Sequence, residues 1–179
     1  MSAATVSPLP ASARVVLALG SNLGDREATL AAAVRDLADL AGFALTGVSP
    51  NFESAAVKPD GVDDSSPRYL NSVVTGRYAG AGLDLLAAVN AIEARHGRVR
   101  AERWGDRTLD IDIIVVDDLE LDTPRLTLPH PRAWERDFVL APWLHLDADA
   151  VIPGRGLVRD LLAATENTVV LAPETGAAR

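Results

Sequence analysis

The chain has 179 residues, no cysteine, and 25 acidic against 17 basic side chains, which give a formal net charge of −8. A chain of this length can bury one hydrophobic core without staples, and the lack of cysteine excludes disulfides, thiolate metal sites and a cysteine nucleophile. The acidic balance argues against a general nucleic-acid binder, and the longest apolar runs are too short to span a bilayer. We therefore expect one globular domain without nucleic-acid or membrane partners. We also expect a cytoplasmic location, because the N-terminus lacks a basic start followed by an apolar stretch.

The predicted elements lie between two loose tails, residues 1–13 and 173–179, so that the domain covers residues 14–172. The patterns predict a strand over 14–19, a helix capped by Asp25 and stopped by Gly42, a strand over 43–54, a surface loop over 58–67, a strand over 69–78, a helix over 83–96, a strand over 109–116, and short helices near 137–147 and 156–164. This order predicts an α+β fold, the ferredoxin-like βαββαβ sandwich, in which helices pack on one face of an antiparallel sheet. We expect an extra hairpin among the C-terminal short helices.

Two aspartates, Asp110 and Asp112, begin the last predicted strand. Residues i and i+2 of a strand share a face about 7 Å apart, so unpaired carboxylates there repel each other. A hard cation such as Mg²⁺, shared with phosphate oxygens, removes that repulsion, and pairing with arginines is the alternative. Strict alternation places the aspartates on the same face as Ile114 and Val116, and it places the remaining residues on the opposite face: Ile111, Ile113 and Val115.

An arginine-rich segment, residues 95–107, precedes these aspartates and holds five arginines against Glu102 and Asp106. Guanidinium groups bind phosphate in bidentate fashion and stay charged at any working pH. Next to a carboxylate-bound metal, such a segment predicts a polyphosphate site. A solvated basic loop that balances an acidic protein is the alternative.

Two further groups offer contacts for a nucleotide or a planar heterocycle. His130 lies between two prolines that fix its backbone, and Arg136 and Phe138 follow it. Its imidazole can donate to a phosphate or nucleotide oxygen, or it can be structural. Tyr69 and Asn71 share a strand face and offer a stacking ring and a hydrogen-bonding amide, although both types are ordinary at a strand start.

With these groups in this order, the chain resembles the 6-hydroxymethyl-7,8-dihydropterin pyrophosphokinase family over about residues 14–170. The matching motifs lie within residues 19–23, 69–71, 97–100, 102–112 and 126–130. The family usually has a Tyr and a Thr-Pro-type stretch where residues 51–57 stand here. The resemblance implies transfer of the β,γ-pyrophosphoryl group of ATP to the pterin hydroxymethyl group, which releases AMP in a step of folate biosynthesis.

The resemblance also implies the role of individual residues and the ligands of the protein. It makes Asp110 and Asp112 the ligands of two Mg²⁺ ions and gives Glu93 a supporting role. The residues implied to act on ATP and its phosphates are Arg98, Arg100, Arg107, His130 and Arg136, of which the first three are catalytic together with both aspartates. Those implied to bind the pterin are Ser54, Val57, Tyr69, Asn71, Trp104 and Phe138. We expect a monomer whose partners are ATP and the pterin.

Two other functions stay open from the residues alone. A ferredoxin-like small-molecule-binding module without catalysis would not need paired carboxylates beside an arginine loop. A nucleotidyltransferase with another acceptor would also use Asp110 and Asp112 to bind a metal. It would not need Tyr69, Asn71 and Phe138 around a heterocycle.

Overall fold

The computed structural model describes residues 12–58, 61–63, 65–97 and 108–173. Its strands and helices follow one another along the chain as β1 (Ala13–Ser21), α1 (Arg26–Ala38), β2 (Phe43–Val48), β3 (Phe52–Ser54), β4 (Ala56–Lys58), β5 (Gly61–Asp63), β6 (Tyr69–Tyr78), α2 (Gly82–Arg95), β7 (Asp110–Val116), β8 (Leu121–Asp122), β9 (Thr127–Leu128), a 3-10 turn (Ala133–Glu135), α3 (Asp137–Leu146), β10 (Val151–Ile152), β11 (Gly156–Leu157), α4 (Val158–Ala163) and β12 (Val170–Leu171).

The main sheet places β1 between β6 and β7, while β2 and β3 both pair with the other edge of β6. Strand β12 lies outside β3, and every pairing in this sheet is antiparallel. With α1 after β1 and α2 after β6, the order is that of the βαββαβ sandwich. The α+β prediction is confirmed, and β10 and β11 form the expected C-terminal hairpin.

Helix α1 begins where the sequence predicts, because Asp25 caps it. The Asp25 Oδ1 atom accepts a hydrogen bond of 3.0 Å from the backbone N–H of Ala28, which satisfies one of the unpaired donors of the first turn. The helix buries Leu30, Ala33 and Leu37 against the sheet. At Gly42 the backbone adopts a φ of +79°, a conformation that favours glycine, and the chain turns into β2.

Helices cover both faces of the sheet, so the prediction that they lie on one face was wrong. One face carries the core against α1 and α2. The other face buries Val16, Val73 and Ile114 against α3, α4 and the C-terminal hairpin, where Val139 and Trp143 contribute apolar surface. The short C-terminal elements are therefore a second packing layer. Within the described residues, no helix is long and apolar enough to cross a bilayer.

Two predicted segments between α1 and β6 also differ in the structure. The strand predicted over 43–54 is broken into β2 and β3, because Pro50 lies between them and offers no N–H for a ladder. The surface loop predicted over 58–67 contains part of the β4–β5 hairpin, where Gly61 has a φ of +119°. Strands of three residues are too short to show an alternating pattern.

A bulge in β7 changes which side chains face α3. Leu17 of β1 lies opposite Ile113, but Val16 lies opposite Val115, so the register shifts between these pairs. Ile114 and Val115 both pack toward the C-terminal layer, and Val116 returns to the layer of α1 and α2. The predicted facing is therefore wrong for Val115 and Val116 and holds for the residues before them.

Candidate active site

Three neighbouring strands bring the sequence-predicted residues into one row on the sheet face that carries α3. Gly20 of β1 lies opposite Asn71 of β6 on one side and opposite Asp110 of β7 on the other. The next row places Ala18 between Val73 and Asp112. We call the surface formed by Asn71, Gly20, Asp110 and Asp112 the site face. It joins a hydrogen-bonding amide to two carboxylates across a single glycine.

Asp112 has two cationic or proton-donating neighbours from the C-terminal layer. Its Oδ2 atom lies 3.5 Å from a terminal nitrogen of Arg136 and 3.7 Å from Nε2 of His130. The Asp112 side chain keeps about a third of its surface exposed (35%), whereas those of Arg136 and His130 keep 18% and 19%. A carboxylate open to solvent, backed by two sheltered donors, can accept a cation or exchange partners when a ligand arrives.

His130 is held in a defined orientation at the start of the C-terminal layer. Its backbone N–H donates to the carbonyl of Ile114 at 2.8 Å, and its Nδ1 accepts from the N–H of Arg132 at 3.2 Å. Because Nδ1 accepts, the neutral ring carries its proton on Nε2, which faces Asp112. Burial and the positive charge of Arg136 lower the pKa of His130 to about 4. At neutral pH the ring is therefore a neutral donor toward the site face.

Arg136 stands at the N-cap of α3, where its backbone precedes the buried helix. Burial lowers its pKa and the carboxylate of Asp112 opposes that change, but a guanidinium remains charged under working conditions. The Arg136 guanidinium carbon lies 5.5 Å from the centre of the Phe138 ring, a cation–π distance. One turn of helix thus holds a guanidinium group beside an aromatic ring.

Glu93 lies almost fully buried on α2, on the opposite side of the sheet from Asp112, with 1% of its surface exposed. Its Oε1 atom accepts a hydrogen bond of 2.8 Å from the backbone N–H of Ile111. Ile111 separates the two site aspartates, so Glu93 fixes the backbone that carries them. Burial of a carboxylate is unfavourable unless it is hydrogen-bonded, so the bond to Ile111 gives Glu93 a structural role.

The amide of Asn71 lies at the other end of the site face and is held by two hydrogen bonds. Its Nδ2 donates to the hydroxyl of Ser54 at 2.9 Å and to the backbone carbonyl of Phe52 at 3.4 Å. Because these bonds occupy the amide nitrogen, the Oδ1 atom points toward Gly20, 3.3 Å from where a β-carbon would stand. Tyr69 lies along the same strand, opposite Ser54 in the register. This oxygen, a hydrogen-bond acceptor, thus lies on the site face beside Gly20, and Asn71 is 5% exposed.

Two contributors to this site were missed by the sequence reasoning. The first is Gly20, where a β-carbon would stand 3.5 Å from the Tyr69 ring. The second is Phe52, whose ring meets the His145 ring of α3 edge-on at 6.2 Å between centroids. Gly20 belongs to the matching motif of residues 19–23, but only the strand register shows what lies beside it. No local pattern signals a contact between residues so far apart in the sequence.

Not every predicted residue falls on the site face. Val57 lies in β4, where its backbone pairs with Val62 of the small hairpin. Four predicted residues lie outside the described residues, namely Arg98, Arg100, Trp104 and Arg107. The structure thus brings together both aspartates, His130 and Arg136 on one side, and Ser54, Asn71 and Tyr69 on the other.

The donor set fits Mg²⁺ as a partner of a phosphorylated ligand. Among the described residues, no group of three His, Cys, Asp or Glu side chains could hold a metal ion by itself. Asp110 and Asp112 supply two carboxylates on one face, and Mg²⁺ is commonly held by one or two carboxylates with substrate phosphates and water. The residues therefore suit a cation that binds together with a polyphosphate.

Comparison with known proteins gives a consistent result over most of the chain. Residues 16–148 match the family model described as 7,8-dihydro-6-hydroxymethylpterin-pyrophosphokinase. A Mycobacterium leprae 2-amino-4-hydroxy-6-hydroxymethyldihydropteridine pyrophosphokinase is 43% identical over 169 residues, which cover 87% of this chain and 84% of that protein. The Pseudomonas aeruginosa protein of the same name is 41% identical over 151 residues, with 84% and 91% covered.

A solved structure shares the fold. The crystal structure of Plasmodium falciparum HPPK-DHPS wild type with pterin and p-hydroxybenzoate superposes with a TM-score of 0.64 at 14% identity. The match covers 85% of this chain and 43% of that one, so the chain spans less than half of the solved protein. At this identity the likeness concerns the fold alone.

Proposed function

Because the chain belongs to the 7,8-dihydro-6-hydroxymethylpterin-pyrophosphokinase family, we propose that its site face is the active site for the pyrophosphokinase reaction. The enzyme transfers a pyrophosphoryl group from ATP to the hydroxymethyl group of the dihydropterin, a step of folate biosynthesis. The observation that carries the assignment is the row of Asn71, Gly20 and Asp110 across three strands. In that row, the amide that we propose binds the pterin lies next to a carboxylate that we propose binds the metal.

On the phosphate side, Asp110 and Asp112 would hold Mg²⁺ against the oxygens of the triphosphate. When bound, the ions would neutralise the charge that opposes attack on phosphorus. Arg136 supplies a fixed positive charge close to Asp112, and the Nε2–H of His130 donates to a phosphate or nucleotide oxygen. Because phosphoryl transfer asks the protein for positioning and charge neutralisation, no covalent nucleophile is needed.

On the pterin side, Asn71 and two rings recognise a flat heterocycle. The Oδ1 atom of Asn71 accepts from the amino or ring N–H groups, while Ser54 keeps the amide in that orientation. Tyr69 and Phe138 supply aromatic faces. The proposed roles of Arg98, Arg100, Arg107 and Trp104, and of Val57 beside the pterin, rest on the family resemblance. A monomeric state and a cytoplasmic location stay predictions of the sequence.

The test is formation of AMP from ATP, with and without the pterin and with and without Mg²⁺. Asp110→Asn and Asp112→Asn should each lower turnover at least about 100-fold, the scale typical of removing one electrostatic stabiliser of a transition state. Asp118→Asn, an exposed aspartate just after β7, is the matched control and should behave as wild type.

Three results would contradict the proposal. AMP formation at an unchanged rate without pterin would mean that ATP is hydrolysed rather than used to pyrophosphorylate the pterin. Release of pyrophosphate without free AMP would instead indicate a nucleotidyltransferase. Full activity of both aspartate variants, with intact circular dichroism spectra, would place the metal site elsewhere.

A further inference from the structure

The C-terminal strap, residues 164–172, runs from the end of α4 to the outer edge of the sheet. Midway along it, Thr168 makes two hydrogen bonds to one carboxylate oxygen, Oδ2 of Asp137. The backbone N–H of Thr168 donates at 2.7 Å and its hydroxyl donates at 3.0 Å. The contact is exposed, but two donors converge on one charged acceptor, and hydrogen bonds to charged acceptors are stronger than neutral ones. We call this pair of hydrogen bonds the latch.

The latch contacts α3 at its first residue, next to two predicted site residues. Asp137 is the first residue of the helix, and it lies between Arg136 on the phosphate side and Phe138 on the pterin side. Arg136 itself has no side-chain cap for the helix, so the carboxylate of Asp137 is the acidic group of the first turn. The helix behind it is fixed by buried Val139 and Leu140. The helix is therefore the rigid end of the latch.

The other end of the strap holds β3. Val170 pairs with Glu53 and Leu171 with Phe52, and the N–H of Ala172 donates to the carbonyl of Asn51 at 2.9 Å. Strand β12 has two residues and leaves both side chains more than half exposed, so its own packing contributes little. Its place on the edge of β3 depends on where the strap before it is fastened.

Strand β3 in turn sets the pterin-binding amide. The hydroxyl of Ser54 and the carbonyl of Phe52 both belong to this three-residue strand, and both accept from Nδ2 of Asn71. A shift of β3 by a few tenths of an ångström would therefore rotate or release that amide. The β3–β6 pairing and the ion pair of Glu53 with Arg26 at 2.8 Å remain without the strap, so loss of the latch loosens β3 without unfolding it.

We propose that Asp137 and Thr168 are positioning residues that hold the C-terminal strap, and through it β3, so that Asn71 presents its carbonyl oxygen to the pterin. This inference rests on the proposed function, because it concerns the pterin half of the same site. Loss of the latch should therefore weaken pterin binding and leave ATP binding unchanged. The strap acts on β3, whereas Asp112, His130 and Arg136 are fixed by β7 and the packed start of the C-terminal layer.

The experiment compares Asp137→Ala, Thr168→Val and Thr168→Ser in the full chain. Asp137→Ala removes both hydrogen bonds and should raise the KM for pterin about fivefold, the effect of one modest hydrogen bond. Thr168→Val keeps the N–H contact and should give about a twofold rise, whereas Thr168→Ser restores the hydroxyl and should match wild type. The KM for ATP should stay within about twofold throughout. Thr46→Val, which removes an exposed threonine hydrogen bond on β2, is the control.

A second measurement does not depend on activity. Amide hydrogen exchange in the ligand-free protein should become faster at residues 52–54 in Asp137→Ala and stay unchanged in Thr46→Val. Unchanged exchange there, or a KM for ATP that rises with that for pterin, would overturn the inference. If Asp137→Ala does not fold, hydrogen exchange at residues 52–54 decides the question, and it should be faster in Thr168→Val than in Thr168→Ser. A wild-type protein that forms no AMP would refute the proposed function, while the exchange pattern would still show whether the strap holds β3.

Discussion

Substitution of Gly20 by alanine tests whether the site face is assembled as described. Gly20 lies between Asn71 and Asp110, and a β-carbon added there would stand 3.3 Å from Oδ1 of Asn71 and 3.5 Å from the Tyr69 ring. The next nearest atom, 4.0 Å away, also belongs to Tyr69. The methyl group therefore presses on Asn71 and Tyr69, the proposed pterin side, and on neither aspartate.

The expected loss of pterin affinity follows from the movement that the Asn71 amide must make. A contact of 3.3 Å is tight, so the Asn71 amide must move by a few tenths of an ångström, against its 2.9 Å hydrogen bond to Ser54. Weakening one neutral hydrogen bond costs about 1 kcal/mol, which corresponds to roughly a fivefold loss of pterin affinity. The free energy of unfolding should change by less than about 1 kcal/mol, because alanine restricts the unfolded chain and offsets the contact.

The assay measures AMP formation as a function of pterin at saturating ATP, and as a function of ATP at saturating pterin. Calorimetric titration with pterin gives the affinity directly, and thermal unfolding reports stability. Gly82→Ala is the matched control, since its β-carbon would stand at an ordinary 3.6 Å from Leu126, away from the site face. Equal losses for ATP and pterin, or no loss for either, would refute the geometry of the site face.

Three further predictions concern charge. Arg98→Ala and Arg100→Ala should lower turnover more than they weaken pterin binding, because these side chains are proposed to contact the transferring phosphates; steady-state kinetics and pterin titration separate the two effects. In the ligand-free protein the imidazole of His130 should titrate near pH 4, because burial and a neighbouring guanidinium disfavour its charged form. Stability should then fall as the pH drops from the ordinary value of 6.5 toward 4, since the unfolded chain takes up that proton first; NMR of the ring gives the midpoint. The hydrogen bond from His96 holds the pKa of Asp36 below 3.8, so ionised Asp36 stabilises the fold above that pH and the effect disappears as the pH falls through the lowered pKa. Asp36→Asn should therefore lower the melting temperature at pH 7, and the difference from wild type should shrink in acid.

Each of these predictions has a control variant. Arg159→Ala removes an arginine that is half exposed on α4 and should change neither kinetic constant. His145→Gln identifies the NMR signal of the exposed histidine, and a His130 midpoint near 6.5 would show that the ring is not sheltered. Asp39→Asn removes an exposed carboxylate from the end of α1. An equal loss of stability in that variant would mean that the effect of Asp36 is general charge rather than its pairing.

The sequence predicts the elements of this fold well where a pattern is long. The helix capped by Asp25 and the alternation up to Ile113 are found as expected, because burial on one face forces the periodicity. The break between β2 and β3 is signalled locally by Pro50, which the strand prediction overran. The two-sided helical cover depends on packing between distant segments, which no local pattern records. The bulge before Val115 belongs to the same class, since a single extra residue is visible only in the pairing with β1.

For the site as well, the sequence predicts single residues but not their arrangement. Residue types that imply chemistry, such as the paired aspartates and His130, can be recognised one by one. Their assembly depends on register, which sets Gly20 beside Asn71, and on the partner that each side chain finds. The proton position on His130, set by the N–H of Arg132, and the orientation of the Asn71 amide are properties of the folded chain alone.

Because of the bulge in β7, the two halves of this strand pair with β1 in different registers. Before it, Asp110 and Asp112 take their positions from Gly20 and Ala18; after it, Val115 and Val116 are placed by the far end of β1 and by the core on either side. A one-residue change in the turn after Val116 can be absorbed where the pairing is already irregular, without turning the carboxylates to the wrong face. The chain can thus vary in length at the far end of the sheet while the end that carries Asp110 and Asp112 keeps a constant geometry.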